Sequence, residues 1–534
     1  MNSISLITAN TSIIAGPVNT AVPPSAKLSA ESAPVASTPS SPASLVVLGQ
    51  DAKIPESSTY RSLGAATITQ PVYTREQEVN DPVTRAVMGN IHASSTAGRF
   101  QGLGAALLQQ LAESGAGRIS QSVLRSSAEE IKNPAAVALA QAHLHEDADN
   151  TISLTLKTKN GATITLNLSS AKDGVAVQAD VTGGTLTDSE RKALGALAQG
   201  FQQAIDGLTA LKPRLNLSAL SQLDPQMFAS VDLSARLKLG EDQYQTLSYK
   251  ADDKTKSVDM RGVQGNLQLS VKNNNAILGN AQQQAKAVQR YLEQFDAAQN
   301  RGEGDKDLMT LFKDAFSTLQ TSTRSATGAA TRPTNGPALT EVDHALLTGL
   351  ADFNASLIKT TRFPNPMRPL ETDRFAYKAS QSTEIKGTTA ADHSIEQKQT
   401  TSLSAAYHKS LYPGVELALS MDPESQNYKY YQLDDEASST TRIAYVEGAL
   451  VEASSTQSAR QSTSVQTFER GKLIDTVTTP KEVSQSRNLL AMIDSALRDD
   501  SNSRVLTGVS TLEEGLKPIH EKVMLQSNPS SITR

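Results

Sequence analysis

Cysteine and tryptophan are both absent from this chain of 534 residues. Without Cys there can be no disulfide, zinc–thiolate site, iron–sulfur cluster or thiol catalysis. Aromatic residues make up only 4%, so Leu, Val, Ile and Ala must carry the core. No run approaches the roughly 18 consecutive apolar residues of a membrane-spanning helix. Lys and Arg number 50 against 55 Asp and Glu, a formal charge of −5, and the two signs are mixed along the chain. With no basic stripe to neutralise phosphates, nucleic acid is not an expected partner. The start, MNSISLITANTSIIAGPVNT, has no basic n-region, and its apolar stretches are short and broken by Asn, Thr and Ser. It is a poor Sec signal. The expected location is the cytoplasm, with export by a route that reads an uncleaved tail as the alternative.

What is present points to an α+β fold: antiparallel sheets packed with amphipathic helices, behind a disordered N-terminal tail. Residues 1–75 are rich in Ser, Ala, Thr and Pro and cannot bury enough apolar surface to offset their ordering entropy. Residues 80–146 read as a helical segment. Asp81-Pro82 and Asn133-Pro134 open helices, and Leu103, Leu107, Leu108 and Leu111 follow a helical period. From 150 to 320 a first α+β module is expected. Ile152, Leu154 and Leu156 alternate, as do Ile164, Leu166 and Leu168, with Asn160-Gly161 between them as a hairpin turn. Thr187 and Glu190 have capping-box spacing ahead of a stripe of Leu194, Leu197, Ala198, Phe201, Ile205 and Leu208. Residues 321–338 read as a linker. A second α+β module is expected over 339–500. It begins with a helix from Thr340 carrying Val342, Leu346, Leu350, Phe353 and Leu357. A long Thr/Ser-rich stretch of alternating strands follows, then a helix with Leu489, Leu490, Ile493 and Leu497. Residues 501–534 read as a weakly structured tail.

Residues 185–239, with the preceding hairpin LTLKTKNGATITLNL, resemble a pseudomonad-type proteobacterial protein family of unknown function. The resemblance carries no assigned chemistry, so it implies no activity, cofactor or site residue.

No motif supplies a catalytic residue or a cofactor site. Gly102-Leu103-Gly104 is the nearest approach to a dinucleotide fingerprint, but Leu107 stands at the third glycine position and no strand precedes it, so a small-residue helix face is expected. His143, His145, Asp147 and Asp149, around Glu146, are the densest set of potential metal ligands. On an extended chain His143 and His145 would share a side. On a helix they diverge and form a solvated helix end. Asp343-His344 and Asp392-His393 are expected to be surface pairs, and Asp434, Asp435 and Glu436 to lie in a turn. Tyr428 and Tyr430 should share one strand face and Tyr431 take the other, as a partner or sugar platform or, more commonly, as cross-strand packing. The reading these features favour is a non-enzymatic structural or interaction protein of a bacterium, with a protein as partner. The alternative is a hydrolase whose site is built from dispersed carboxylates, which need not be neighbours in sequence.

Overall fold

The computed structural model describes residues 72–127, 129–321 and 337–532. The tail expected at 1–75 lies outside the described residues except for its last four. The linker expected at 321–338 lies outside them except at its ends.

In chain order the first elements are β1 (Val72–Arg75), α1 (Pro82–Asn90), α2 (Thr96–Phe100), α3 (Leu103–Ser114), β2 (Arg118–Ser126) and α4 (Pro134–Glu146). Then come β3 (Asn150–Thr158), β4 (Thr163–Ala171), β5 (Gly174–Thr182), α5 (Asp188–Thr209) and α6 (Ser218–Ser221). Strands β6 (Phe228–Gly240), β7 (Gln243–Ala251), β8 (Thr255–Gly262) and β9 (Gly265–Lys272) lead to α7 (Ala281–Gly302) and α8 (Lys306–Thr321). After α9 (Glu341–Leu346) run β10 (Phe353–Arg362), β11 (Asp373–Gly387), β12 (His393–Ser410), β13 (Tyr428–Val446), β14 (Ala449–Glu469) and β15 (Lys472–Asn488). The chain closes with α10 (Leu490–Thr507), α11 (Leu512–Val523) and α12 (Pro529–Ile532).

The fold is α+β and strand-rich, with all fifteen strands of the described residues in one antiparallel sheet. Its order is β1-β2-β5-β4-β3-β6, then sequential to β15. From β6 onward each strand pairs with its successor, and β9 pairs with β10, Phe353 opposite Val271. The boundary expected at 321–338 therefore falls between two strands that hydrogen-bond to each other.

The local signals explain the elements. Gly161 takes φ +97° in the β3–β4 turn, the positive-φ geometry that Asn-Gly favours. Thr187 and Glu190 form the capping box of α5, with reciprocal bonds of 3.3 and 2.8 Å. Gly471 turns β14 into β15 at φ +74°.

Cross-strand partners share a face, and one row shows how the core is built. Leu154, Leu233, Tyr249, Val258, Leu269, Ala355, Ala379, Thr401, Ala437 and Ala459 stand opposite one another from β3 to β14. All are buried. Their side chains shrink along the row, from Leu and Tyr to Ala and Thr. The large ones meet α5, α7 and α8 in the main core, which includes Phe201, Phe295, Phe312 and Phe316. The small ones leave room for the returning C-terminal segment, whose Leu525 and Ile532 pack against Ala437 and Ala459. Helix α4 covers the opposite face, where Leu144 meets Leu124 and Ala176.

Four expectations are corrected. Residues 80–146 are not helical throughout, because RISQSVLRS forms β2 and pairs with both β1 and β5. The helix from Thr340 stops at Leu346. Phe353 and Leu357 lie on β10 and face the core two strand periods apart, since a spacing of four fits a strand as well as a helix. Residues beyond 500 are structured: α10 continues to Thr507, and α11 buries Leu516, Ile519 and Val523. Asp434, Asp435 and Glu436 lie within β13, not in a turn.

Candidate functional site

The face of β8–β15 away from the large core is a trough with a cavity volume of about 860 Å³. Its floor is a ladder of small polar residues in strict cross-strand register: Ser257, Ser270, Asn354, Ser380, Thr400, Ser438, Ser458 and Ser484, one from each strand. Adjacent hydroxyls bond to each other, at 2.7 Å between Ser380 and Thr400 and 3.0 Å between Ser438 and Ser458. The strand alternation that buries Ala379, Thr401, Ala437 and Ala459 turns these neighbours outward.

A second row, two residues along each strand, carries the charge: Asp259, Gln268, Ser356, Lys378, Ser402, Glu436, Arg460 and Glu482. Arg460 reaches Glu436 at 3.3 Å, and Asp259 is held by Arg261 at 3.0 Å and Gln268 at 3.1 Å. The Arg261 bond and charge keep the Asp259 carboxyl below its usual range, outweighing burial. Lys398 adds a cation from the next row. Three Lys or Arg and three Asp or Glu line the trough, so the cavity carries no net charge, and no aromatic ring reaches it.

At one end the rim loops fold over this same face. Asn365 donates to Gln426 and to the Tyr428 hydroxyl, both at 2.9 Å, and Arg368 donates to Gly471 O at 2.9 Å. Beneath them His408 lies between two carboxylates, Nδ1 at 2.8 Å from Asp373 and Nε2 at 3.2 Å from Glu371. The Tyr428 hydroxyl donates to Glu371 at 2.6 Å. With a carboxylate at each ring nitrogen, the geometry fits an imidazolium that donates twice. Burial works against the charge, but the two carboxylates prevail and raise the imidazole above its ordinary value. They are served in return: despite burial, the His408 and Tyr428 bonds hold Glu371 below the usual carboxylate range.

The histidines expected at the surface are mostly interior. His393 and Asp343 have fully buried side chains 3.5 Å apart, and the imidazole stacks on Tyr445 at 4.6 Å. His344 and His520 line a smaller cavity of about 530 Å³ between α7, α9 and α11, and burial lowers both imidazoles. The fold brings these residues together across 35 to 176 residues, beyond what sequence neighbours reveal.

The four metal candidates do not converge: two pair with each other and two go to other partners. His143 faces Asp147 at 3.6 Å on the surface of α4, His145 reaches Glu76 at 2.9 Å, and Asp149 holds Lys238 at 2.8 Å. The His145 bond brings the Glu76 carboxyl down to about 2. Among the described residues no group of three or more His, Asp or Glu is arranged to hold a metal. Gly104 serves packing: a Cβ there would come within 3.0 Å of Phe201 on α5. Tyr428 and Tyr430 are buried, with Tyr428 stacked on Phe468 at 4.7 Å, while Tyr431 stacks on Tyr407 across the sheet at 4.9 Å.

The trough was missed because its residues are ordinary strand Ser, Thr and Lys. The one signal was the Thr/Ser-rich alternation itself, which becomes a ladder only when the register is known. No helix of the described residues is long and apolar enough to cross a membrane. No family model, curated protein or solved structure matches the chain.

Proposed function

We propose that the chain is a non-enzymatic interaction protein of a bacterium, and that its trough receives an extended hydrophilic segment of a partner protein. The observation that carries this reading is the ladder of small polar residues across eight strands, in a wide trough of balanced charge. Small-molecule and catalytic pockets are mostly apolar, with a few convergent polar groups. The two rows of side chains turned to this face are polar and repeat from strand to strand, which suits a ligand that repeats as well.

The hydrolase reading draws less support. A general acid needs a carboxyl raised toward neutrality. Two of the three carboxylates in the trough, Asp259 and Glu436, are instead engaged by arginines. Burial does raise Asp352, but that residue bonds to Thr383 inside the protein and does not line the trough. For location, the cytoplasm remains the reading, with export without a Sec signal as the alternative. A reporter fused to residues 1–60 and found only in the cell lysate would reject export.

The absence of Cys makes the partner test clean, because one introduced thiol is the only thiol. Ser438→Cys carrying a benzophenone should cross-link to protein in extracts of the native host, and Ser189→Cys on the exposed start of α5 should not. The cross-link should disappear when Ser380→Trp fills the floor. Identical cross-linking from both positions, or none from Ser438→Cys, would reject the reading.

A further inference from the structure

Eight large apolar side chains crowd one end of the sheet, beyond the trough. Phe363, Met367 and Leu370 lie between β10 and β11. Tyr412, Val415 and Met421 lie between β12 and β13. Leu473 and Ile474 follow the β14–β15 turn. Their exposures run from 38% for Met367 to 94% for Leu370. Buried apolar residues were available to this chain elsewhere, so exposure on this scale at one place is the informative observation.

The three segments form one rigid surface. Asn365 ties the first to the second, and Arg368 ties the first to the β14–β15 turn. Gly471 N donates to Gln426 O at 3.1 Å, joining the second and third. Arg368 also lies over the Phe468 ring at 4.4 Å. Pro364, Pro366 and Pro369 stiffen the first loop. A surface ordered in advance loses little entropy on association.

We infer that this rim is the contact through which two copies of the chain associate as a twofold dimer. Two observations select a second copy as the occupant. The first is area: the eight side chains, 38 to 94% exposed, present roughly 700 Å² of apolar surface at about 150 Å² per large side chain. That is more than the apolar share, about 500 Å², of a standard interface of ~800 Å² per partner. The second is charge: residues 359–373, 409–429 and 469–475 contain seven Lys or Arg and seven Asp or Glu. A rim with no net charge meets no net repulsion from its own copy and offers no attraction to an anionic membrane. The contact is made by side chains and not by extending the sheet. Pro480 stands in the outermost strand β15 and removes a main-chain donor there. This inference does not depend on what fills the trough.

The test is the mass of the full chain by light scattering at roughly tens of micromolar, above the micromolar constants of the weakest interfaces of this size. The wild type should run at twice the mass of one chain. Leu370→Glu combined with Met421→Glu should run at one, with an unchanged melting temperature. A wild type at single-chain mass overturns the inference, and so does a double variant that stays dimeric. An independent arm avoids any folding defect: Leu370→Cys should give a covalent dimer with a short bismaleimide and Ser189→Cys should not. Failure of the Leu370 cross-link also overturns it.

Discussion

Phe201 and His408 show how differently two buried side chains are read from sequence. Phe201 lies at the centre of a helical stripe, and the structure buries it completely on α5 against α3. Phe201→Ala should destabilise by about 3–5 kcal/mol in chemical denaturation. An unchanged midpoint would show that the helix pair does not depend on it. His408 gives no comparable sign, because Glu371 and Asp373 lie 37 and 35 residues away. Its charge makes a pH prediction. The folded state raises His408 above its ordinary 6.5, so its contribution is complete below pH 6.5 and fades as pH rises through the raised value. Glu371 is lowered from 4.5, so its contribution is complete above pH 4.5 and fades as pH falls through the lowered value. The cluster, which also faces Asp373, Tyr428, Tyr430 and Arg368, is therefore strongest between pH 4.5 and 6.5. Thermal stability should fall from pH 6 toward pH 9, and His408→Gln should flatten that slope. A wild-type slope retained in the variant would assign it to other groups.

At the scale of elements, the C-terminal strands contradict the usual equation of polar with exposed. Gln399, Ser439 and Gln457 point to the helix side of the sheet and are buried. They serve the backbone of the segment that leaves α11. Gln399 donates to Val523 O at 2.9 Å and accepts from Leu525 N at 3.1 Å. Ser439 donates to Val523 O at 2.9 Å, and Gln457 to Lys522 O at 2.7 Å and Met524 O at 3.0 Å. This segment has no strand or helix partner of its own beyond Val523, so side chains supply the bonds that buried backbone requires. From sequence the same residues read as part of a Thr/Ser-rich stretch of alternating strands, and residues past 500 as a weakly structured tail. Gln399→Leu should cost about 1–3 kcal/mol by orphaning Leu525 N and leaving Val523 O with Ser439 alone. Hydrogen exchange should locate the loss at residues 523–525. A loss spread evenly over the sheet would contradict that assignment.

For the whole molecule, the continuous sheet makes its own prediction. The main core includes Leu154 on β3 and Leu403 on β12, and β9 pairs with β10 across the 322–336 stretch. The described structure should therefore unfold in one cooperative step. A protease site inserted between 322 and 336 should yield two fragments that stay together after cleavage. Two calorimetric transitions, or fragments that separate in buffer, would restore the two-module reading. Sequence by itself determined the elements whose information is local. Alternation marks β3 and β4, Asn160-Gly161 their turn, Thr187 and Glu190 the start of α5, and the apolar stripes the core faces of α3 and α5. Composition likewise excluded thiol chemistry. Tertiary structure alone decided what depends on register over long separations: that fifteen strands form a single sheet, that outward Ser and Thr line up as a trough, that His408 lies between two carboxylates, and that buried glutamines hold the final segment. A period of two states that side chains alternate, but not which strand lies opposite or what covers each face. Those facts follow from pairing energies summed over the whole sheet, which no local stretch of sequence contains.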